Sequence, residues 1–207
     1  MKKYKYYLAY KPFGVLSQFS DEQGRPTLKS LFPFPKDVYP VGRLDMDSEG
    51  LLLLTNDKRI NSLLLSPEYR HEREYYAQVE GIPDESALEK LRKGVMIKGN
   101  KTLPAKVRLI ETPGLPDRIP PIRKRLNIPT AWLSITLIEG KNRQVRRMTA
   151  AVGYPTLRLV RVRIENLRIA KMNPGEVMEL KGVALSEFLK IINQKAAPHF
   201  ILNTGRS

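Results

Sequence analysis

The sequence predicts an α+β fold. Two observations carry that prediction: strand-like runs outnumber helix-like ones, and the two do not alternate regularly. The chain also shows no internal repeat and no clean linker, so a single domain is expected over residues 1–195, with 196–207 as a flexible tail.

Residues 4–10 are aromatic and apolar and form the first strand. Pro12 and Gly14 end it, and residues 15–19 resume extended chain. Residues 20–40 are rich in Asp, Gly and Pro and read as loop. A polar loop over 41–50 follows, with Gly42 and Gly50 near its ends. Residues 51–54 are all leucine, the pattern of a strand buried on both faces. Asn56 or Asp57 caps a helix over 58–65 that stops at Pro67. Residues 73–79 form a strand rich in Tyr. Asp84 caps a helix running to Lys93, which Gly94 terminates. Residues 101–110 alternate loosely and read as a strand.

Residues 113–129 combine five prolines with Arg118, Arg123, Lys124 and Arg125, which makes a long irregular basic loop. Residues 132–138 form the next strand. Asn142 caps a helix through Val152, with Gly153 at its end. Residues 155–164 and 167–171 are extended, Pro174-Gly175 is a turn, and 176–180 a strand. Ser186 caps a last helix to about Asn193, and the chain frays from Lys195.

The 207 residues are 42% hydrophobic and 28% charged, ordinary values for a chain that buries a core. Thirty-six Lys and Arg against 21 Asp and Glu leave a net charge of +15. Cys is absent, which excludes a disulfide framework, a thiol nucleophile and zinc-ribbon or iron–sulfur ligation. No apolar run is long enough to span a bilayer, so a cytoplasmic location is expected. So basic a chain needs an acidic partner. Its cations are spread through folded segments, not gathered on one amphipathic helix, which favours nucleic acid over a membrane surface.

Several chemistries fail on spacing. Asp45, Asp47, Glu49 and Gly50 imitate the first half of an EF-hand loop, but the twelfth position is Asn56 and the second half is leucine. Gly94 and Gly99 have phosphate-loop spacing, yet Asn100 stands where Lys is required. His71 and His199 are far apart, and no Gly-x-Ser-x-Gly elbow exists. No metal site is expected.

Three runs survive. In 42–50, Asp45 lies on a loop at the mouth of a buried strand and is ionised at neutral pH. It can attack an electrophilic carbon without a general base. Taken as a single residue it reads first as an ordinary turn aspartate. In 139–148, Val145, Met148 and Val152 fall on one helix face and Arg143, Arg146 and Arg147 on the other. From Lys141 to Arg168 eight basic residues face one acid, Glu165, whereas a merely solvated face mixes signs. In the Tyr-rich strand, Tyr75 can stack on a base or be a plain strand residue.

Together the runs resemble a known family. Gly42-Arg-Leu-Asp45 with residues 48–57, then Arg73-x-Tyr75, then residues 139–148 continued by 152–161, resemble the ribosomal pseudouridine synthases of the small-subunit synthase A group. The resemblance covers nearly the whole chain in the right order. With the first strand read from Tyr4, that group's usual N-terminal RNA-binding domain is not expected. The loop Arg118–Arg125 with residues 128–132 is similar to the branch that modifies the large subunit.

What the resemblance implies is a two-lobed catalytic domain on a long mixed, mainly antiparallel sheet, with flanking helices and a central basic cleft. The implied reaction converts a uridine of 23S ribosomal RNA to pseudouridine. Asp45 would attack C1′ or C6, the glycosidic bond would break, and the uracil would turn and rejoin through C5, with no cofactor. Tyr75 would stack on the base, and Arg146 would pair with Asp45. Arg43 would fill the gap left by the flipped base. Arg143, Arg147, Arg118, Arg123, Lys124 and Arg125 would bind RNA, and the protein would act as a monomer. Two departures stand out: Arg73 replaces the usual Lys, and Asn142-Arg143 replaces a pair ending in His.

Two rivals predict different outcomes. A non-catalytic ribosomal RNA-binding assembly factor would bind but not turn over. A metal-dependent nuclease using Asp45, Asp47 and Glu49 would cleave RNA and lose activity in chelator.

Overall fold

The computed structural model describes residues 3–122, 128–169 and 171–203, with side chains described through 197. Arg123, Lys124 and Arg125 lie outside the described residues. A nine-stranded sheet organises the chain. In chain order its strands are β1 (Tyr6–Lys11), β2 (Tyr39–Pro40), β3 (Glu49–Thr55), β4 (Arg73–Glu80), β7 (Lys106–Ile110), β8 (Thr130–Leu137), β9 (Thr156–Ile164), β10 (Leu167–Arg168) and β11 (Val177–Glu179). The small strands β5 (Met96–Ile97) and β6 (Asn100–Lys101) form a separate hairpin. The main path runs β11-β1-β3-β9-β4-β8-β7, with β2 added to β3 and β10 to β9. The β3–β9 pairing is parallel, and the other strand pairings are antiparallel. The sheet is therefore long, mixed and mainly antiparallel.

The four leucines of β3 show why that strand is buried on both faces. Leu51 and Leu53 enter one core cluster, which includes Tyr10, Val160 and Phe188. Leu52 and Leu54 enter another, with Tyr7, Val15 and Leu28. The period-2 alternation of a strand sends neighbours to opposite faces, and here both faces are covered. A third cluster packs Leu88 and Leu91 of helix α2 (Glu85–Lys93) and Val145 and Met148 of helix α3 (Gln144–Ala151) against Ala77, Leu133 and Ile135. Strand β9 joins two of these clusters, with Val160 and Val162 in the first and Leu159 in the third.

Helix α1 (Lys58–Leu65) starts where expected, its Arg59 amide capped by the Asp57 side chain at 3.1 Å. The cap of α2 is Asp84, whose Oδ1 accepts from the Ala87 amide.

Five local expectations change. Residues 15–19 form no strand; Leu16 makes only an isolated bridge with Thr27. The expected 20–40 loop contains a 3-10 turn at Leu28–Ser30 and strand β2 at Tyr39–Pro40, and its Phe32 and Phe34 pack with Tyr7 and Phe19. The expected 101–110 strand is shorter: Lys101 ends β6, residues 102–105 are in no strand, and β7 covers Lys106–Ile110. Asn142 does not cap α3; Arg143 occupies the N-cap in a left-handed conformation, and Asn142 Oδ1 accepts instead from Arg147. The last helix, α4 (Gly182–Asn203), begins before Ser186 and extends past Lys195 to Asn203. Phe188, Ile192 and Ala196 recur at helical spacing and are buried, and Lys195 reaches Glu165 at 2.6 Å, so docking sustains the helix past Lys195.

Candidate active site

One row of residues crosses the sheet. Lys11 pairs with Gly50, Gly50 with Arg161, Arg161 with Tyr75, and Tyr75 with Ile135. Gly50 has φ +109, and a Cβ there would fall 2.3 Å from the Arg161 carbonyl oxygen. Only a residue without Cβ permits this approach. It brings the turn ahead of β3 against β9. In that turn the Ser48 amide donates to the Asp45 carbonyl at 3.0 Å. Arg43, Asp45, Ser48, Tyr75, Arg143 and Arg161 thus line one cavity of about 680 Å³.

Buried polar groups clamp the backbone on both sides of Asp45. Ser17 Oγ accepts from the Leu44 amide at 3.0 Å and donates to the Leu44 carbonyl at 2.8 Å. Lys11, fully buried, donates from Nζ to the carbonyls of Pro12, Val15 and Met46 at 2.8, 2.7 and 3.5 Å. Burial lowers the Lys11 ammonium to about 8, against the opposing pull of Glu49, Asp47 and Asp45. Such a clamp fixes where the carboxylate sits.

The acids of the run separate. Asp47 receives two parallel bonds from Arg143, both 2.9 Å. Burial raises the Asp47 carboxyl, but Arg143 and Arg146 outweigh it and hold the pKa below the ordinary aspartate value. Glu49 is buried and takes two 2.8 Å bonds from Arg158. Asp45 is left facing the cavity. Among the described residues no three acidic or histidine side chains gather as metal ligands.

The basic residues sort differently from the sequence reading. Arg146 does not pair with Asp45. Its Nη2 donates to the Asp47 carbonyl at 2.6 Å and its Nη1 to the Thr156 carbonyl at 3.1 Å. Arg143 takes the place expected of it, with Nη1 3.5 Å from Asp45 Oδ2. The physical reason is the helix start: α3 begins one residue after the left-handed Arg143, which leaves Arg143 at the cavity rim and tucks Arg146 against backbone. Neither Arg146 nor Arg147 lines the cavity, whereas Arg43 does, with Nη2 3.3 Å from Gln18 Oε1. Arg73 is buried and donates to the Leu64 and His71 carbonyls. Arg118 lies apart, its guanidinium 4.3 Å from the Phe13 ring centroid and bonded to the Pro120 and Pro121 carbonyls.

Three contributors escaped the sequence reading: Lys11, Ser17 and Arg161. Arg161 is 4% exposed, donates from Nε to the Leu51 carbonyl at 2.7 Å, and keeps a buried Nη2 without a partner at the cavity. Its signal lay in the basic excess of 141–168, which did not single it out.

The model of the RNA pseudouridylate synthase family matches residues 5–151, a span that holds Asp45, Tyr75 and Arg143. The chain belongs to the RNA pseudouridylate synthase family. An RNA pseudouridine synthase is an isomerase, and its relatives agree along most of the chain. It is 53% identical over 171 residues to the ribosomal large subunit pseudouridine synthase E of Vibrio parahaemolyticus, covering 83% of this chain and 71% of that one. It is 52% identical to the protein of the same description from Xanthomonas campestris, covering 80% and 90%. To the ribosomal large subunit pseudouridine synthase B of Bacillus subtilis it is 39% identical, covering 84% and 67%. Among solved structures, a pseudouridylate synthase crystal structure superposes with a TM-score of 0.75 at 25% identity, over 92% of this chain and 75% of that one. This synthase chain thus shares the α+β sheet architecture its sequence implied.

Proposed function

We propose that this synthase converts a uridine of large-subunit (23S) ribosomal RNA to pseudouridine, with Asp45 as nucleophile. The observation that carries the reading is the convergence of Asp45, Tyr75, Arg143 and Arg161 on one cavity. The large-subunit substrate is supported by the descriptions of the relatives from Vibrio and Xanthomonas.

Asp45 attacks C1′ of the ribose or C6 of the ring, and the C1′–N1 bond breaks. The uracil turns, C1′ bonds to C5, the bond from Asp45 to carbon breaks and returns the carboxylate, the C5 proton leaves, and N1 ends protonated. Tyr75 stacks on the base. Arg161 supplies a buried positive charge in the cavity wall, and Arg143 a second cation at the rim, 3.5 Å from Asp45 Oδ2, so that both offset the charge of the carboxylate. Arg43 occupies the gap that flipping leaves in the RNA. Arg147 and Arg118, with Arg123, Lys124 and Arg125, contact phosphates along the strand. Arg146 holds the Asp45–Ser48 turn through the Asp47 carbonyl.

The test is pseudouridine mapping on ribosomal RNA after incubation with the protein. The proposal expects one new pseudouridine in 23S RNA and none in 16S RNA. No new pseudouridine in either, on naked RNA or on immature particles, would refute it.

A further inference from the structure

Two serines with buried side chains stand in the wall of the Asp45 cavity, and they differ in one respect. Ser17 is 4% exposed and its hydroxyl is fully engaged with the Leu44 amide and carbonyl. Ser48 is 1% exposed and its Oγ has no hydrogen-bond partner. Folded proteins leave few buried hydroxyls unmet, because the group loses its water and gains nothing in return.

The fold does not account for that hydroxyl. The turn containing Ser48 is closed by its backbone amide on the Asp45 carbonyl, a bond that alanine would make equally well. The next residue, Glu49, is fixed through Arg158, not through Ser48. Ser48 thus lines the cavity three residues from the nucleophile and carries a hydroxyl that nothing in the free protein meets. Among the described residues that line the cavity, the other buried polar atom without a partner is Arg161 Nη2, which can only donate. A serine hydroxyl donates and accepts. The polar edge of uracil alternates carbonyl acceptors with an imide N–H donor, so a hydroxyl beside a donor-only group matches it.

We infer that Ser48 Oγ is a substrate contact, satisfied only when the target uridine enters the cavity and hydrogen-bonds to it. The inference rests on the isomerase activity proposed above and adds to it a residue that binds the uridine. It implies opposite signatures for the two serines. Removing the Ser17 hydroxyl strips a backbone clamp and costs stability. Removing the Ser48 hydroxyl relieves an unmet group in the free protein and costs only turnover.

The experiment uses the full chain with ribosomal RNA labelled at uridine C5, and measures both tritium release and thermal unfolding for wild type, Ser48→Ala, Ser48→Thr and Ser17→Ala. Ser48→Ala is expected to melt at or above the wild-type temperature and to lose about tenfold in kcat/KM, the rate equivalent of one hydrogen bond. Ser48→Thr, which keeps the hydroxyl, is expected to recover part of that loss, and Ser17→Ala to melt lower. Wild-type kcat/KM in Ser48→Ala, beside an active wild type, would overturn the inference and leave the isomerase reading standing. A Ser48→Ala melting temperature lowered like that of Ser17→Ala would overturn it too, because the hydroxyl would then be structural. No release from the wild type would remove the isomerase reading and this inference with it.

Discussion

Gly50 and Arg161 meet backbone to backbone: a Cβ on Gly50 would lie 2.3 Å from the Arg161 carbonyl oxygen and 2.6 Å from its amide nitrogen. Gly50 also sits at φ +109, where L side chains are strained. Sterics and strain act together, so Gly50→Ala should cost about 3 kcal/mol or more. Urea unfolding at neutral pH checks the size. A loss under about 1 kcal/mol would show that β3 and β9 can part without cost, and that the row Lys11–Gly50–Arg161–Tyr75 is not what builds the site.

The two neighbouring arginines of α3 should separate cleanly. Arg146 is tied to the Asp47 and Thr156 carbonyls, whereas the side-chain bond of Arg147 goes to Asn142 on the exposed side. Arg146→Ala should cost about 2–3 kcal/mol by leaving half-buried acceptors unpaired. Arg147→Ala should leave stability within about 0.5 kcal/mol and lower the salt slope of RNA binding by about one. Unfolding curves and binding at several salt concentrations check both. Equal destabilisation by the two would contradict the division.

Glu165 joins the sheet to the last helix. Its carboxylate meets His71 Nδ1 at 2.8 Å, Lys195 Nζ at 2.6 Å and the Glu72 amide at 2.8 Å. Burial raises its pKa, but those three partners prevail and bring it from 4.5 to about 2. A carboxyl depressed on folding adds stability that is whole above its unfolded value and is lost as pH falls through its folded one. The window here is about pH 4.5 down to about 2. Glu165→Gln should therefore cost about 2 kcal/mol at neutral pH and flatten the acid limb in that window. Stability curves that stay parallel down to pH 2 would contradict the assignment.

How much of this was legible in the sequence depends on range. The all-leucine run, the Asp57 and Asp84 caps and the Gly94 stop were readable because each acts within a few residues. The start of α3 was misread because Asn142 is the better cap by type, yet Arg143 is drawn into a left-handed turn where its guanidinium reaches Asp47 and Asp45. The C-terminal helix was cut short because its support comes from Glu165, 30 residues away. In the site, Asp45, Tyr75 and Arg143 carried motif-level signals. Lys11, Ser17 and Arg161 did not, since their roles come from strand register and from carbonyls that no side-chain pattern encodes. Arg146 was given Asp45 as a partner on its place in the motif, and only the helix start shows that it holds backbone instead.

The most direct test of the account is tritium release from ribosomal RNA labelled at uridine C5, in excess chelator, by wild type and by Asp45→Asn. Asparagine keeps the size of the side chain and removes the proposed nucleophile. The account expects release by the wild type and none by Asp45→Asn, with both proteins binding the RNA and unfolding alike. Release by Asp45→Asn at the wild-type rate would contradict it, because the Asp45 carboxylate in the cavity lining would then not be the attacking group.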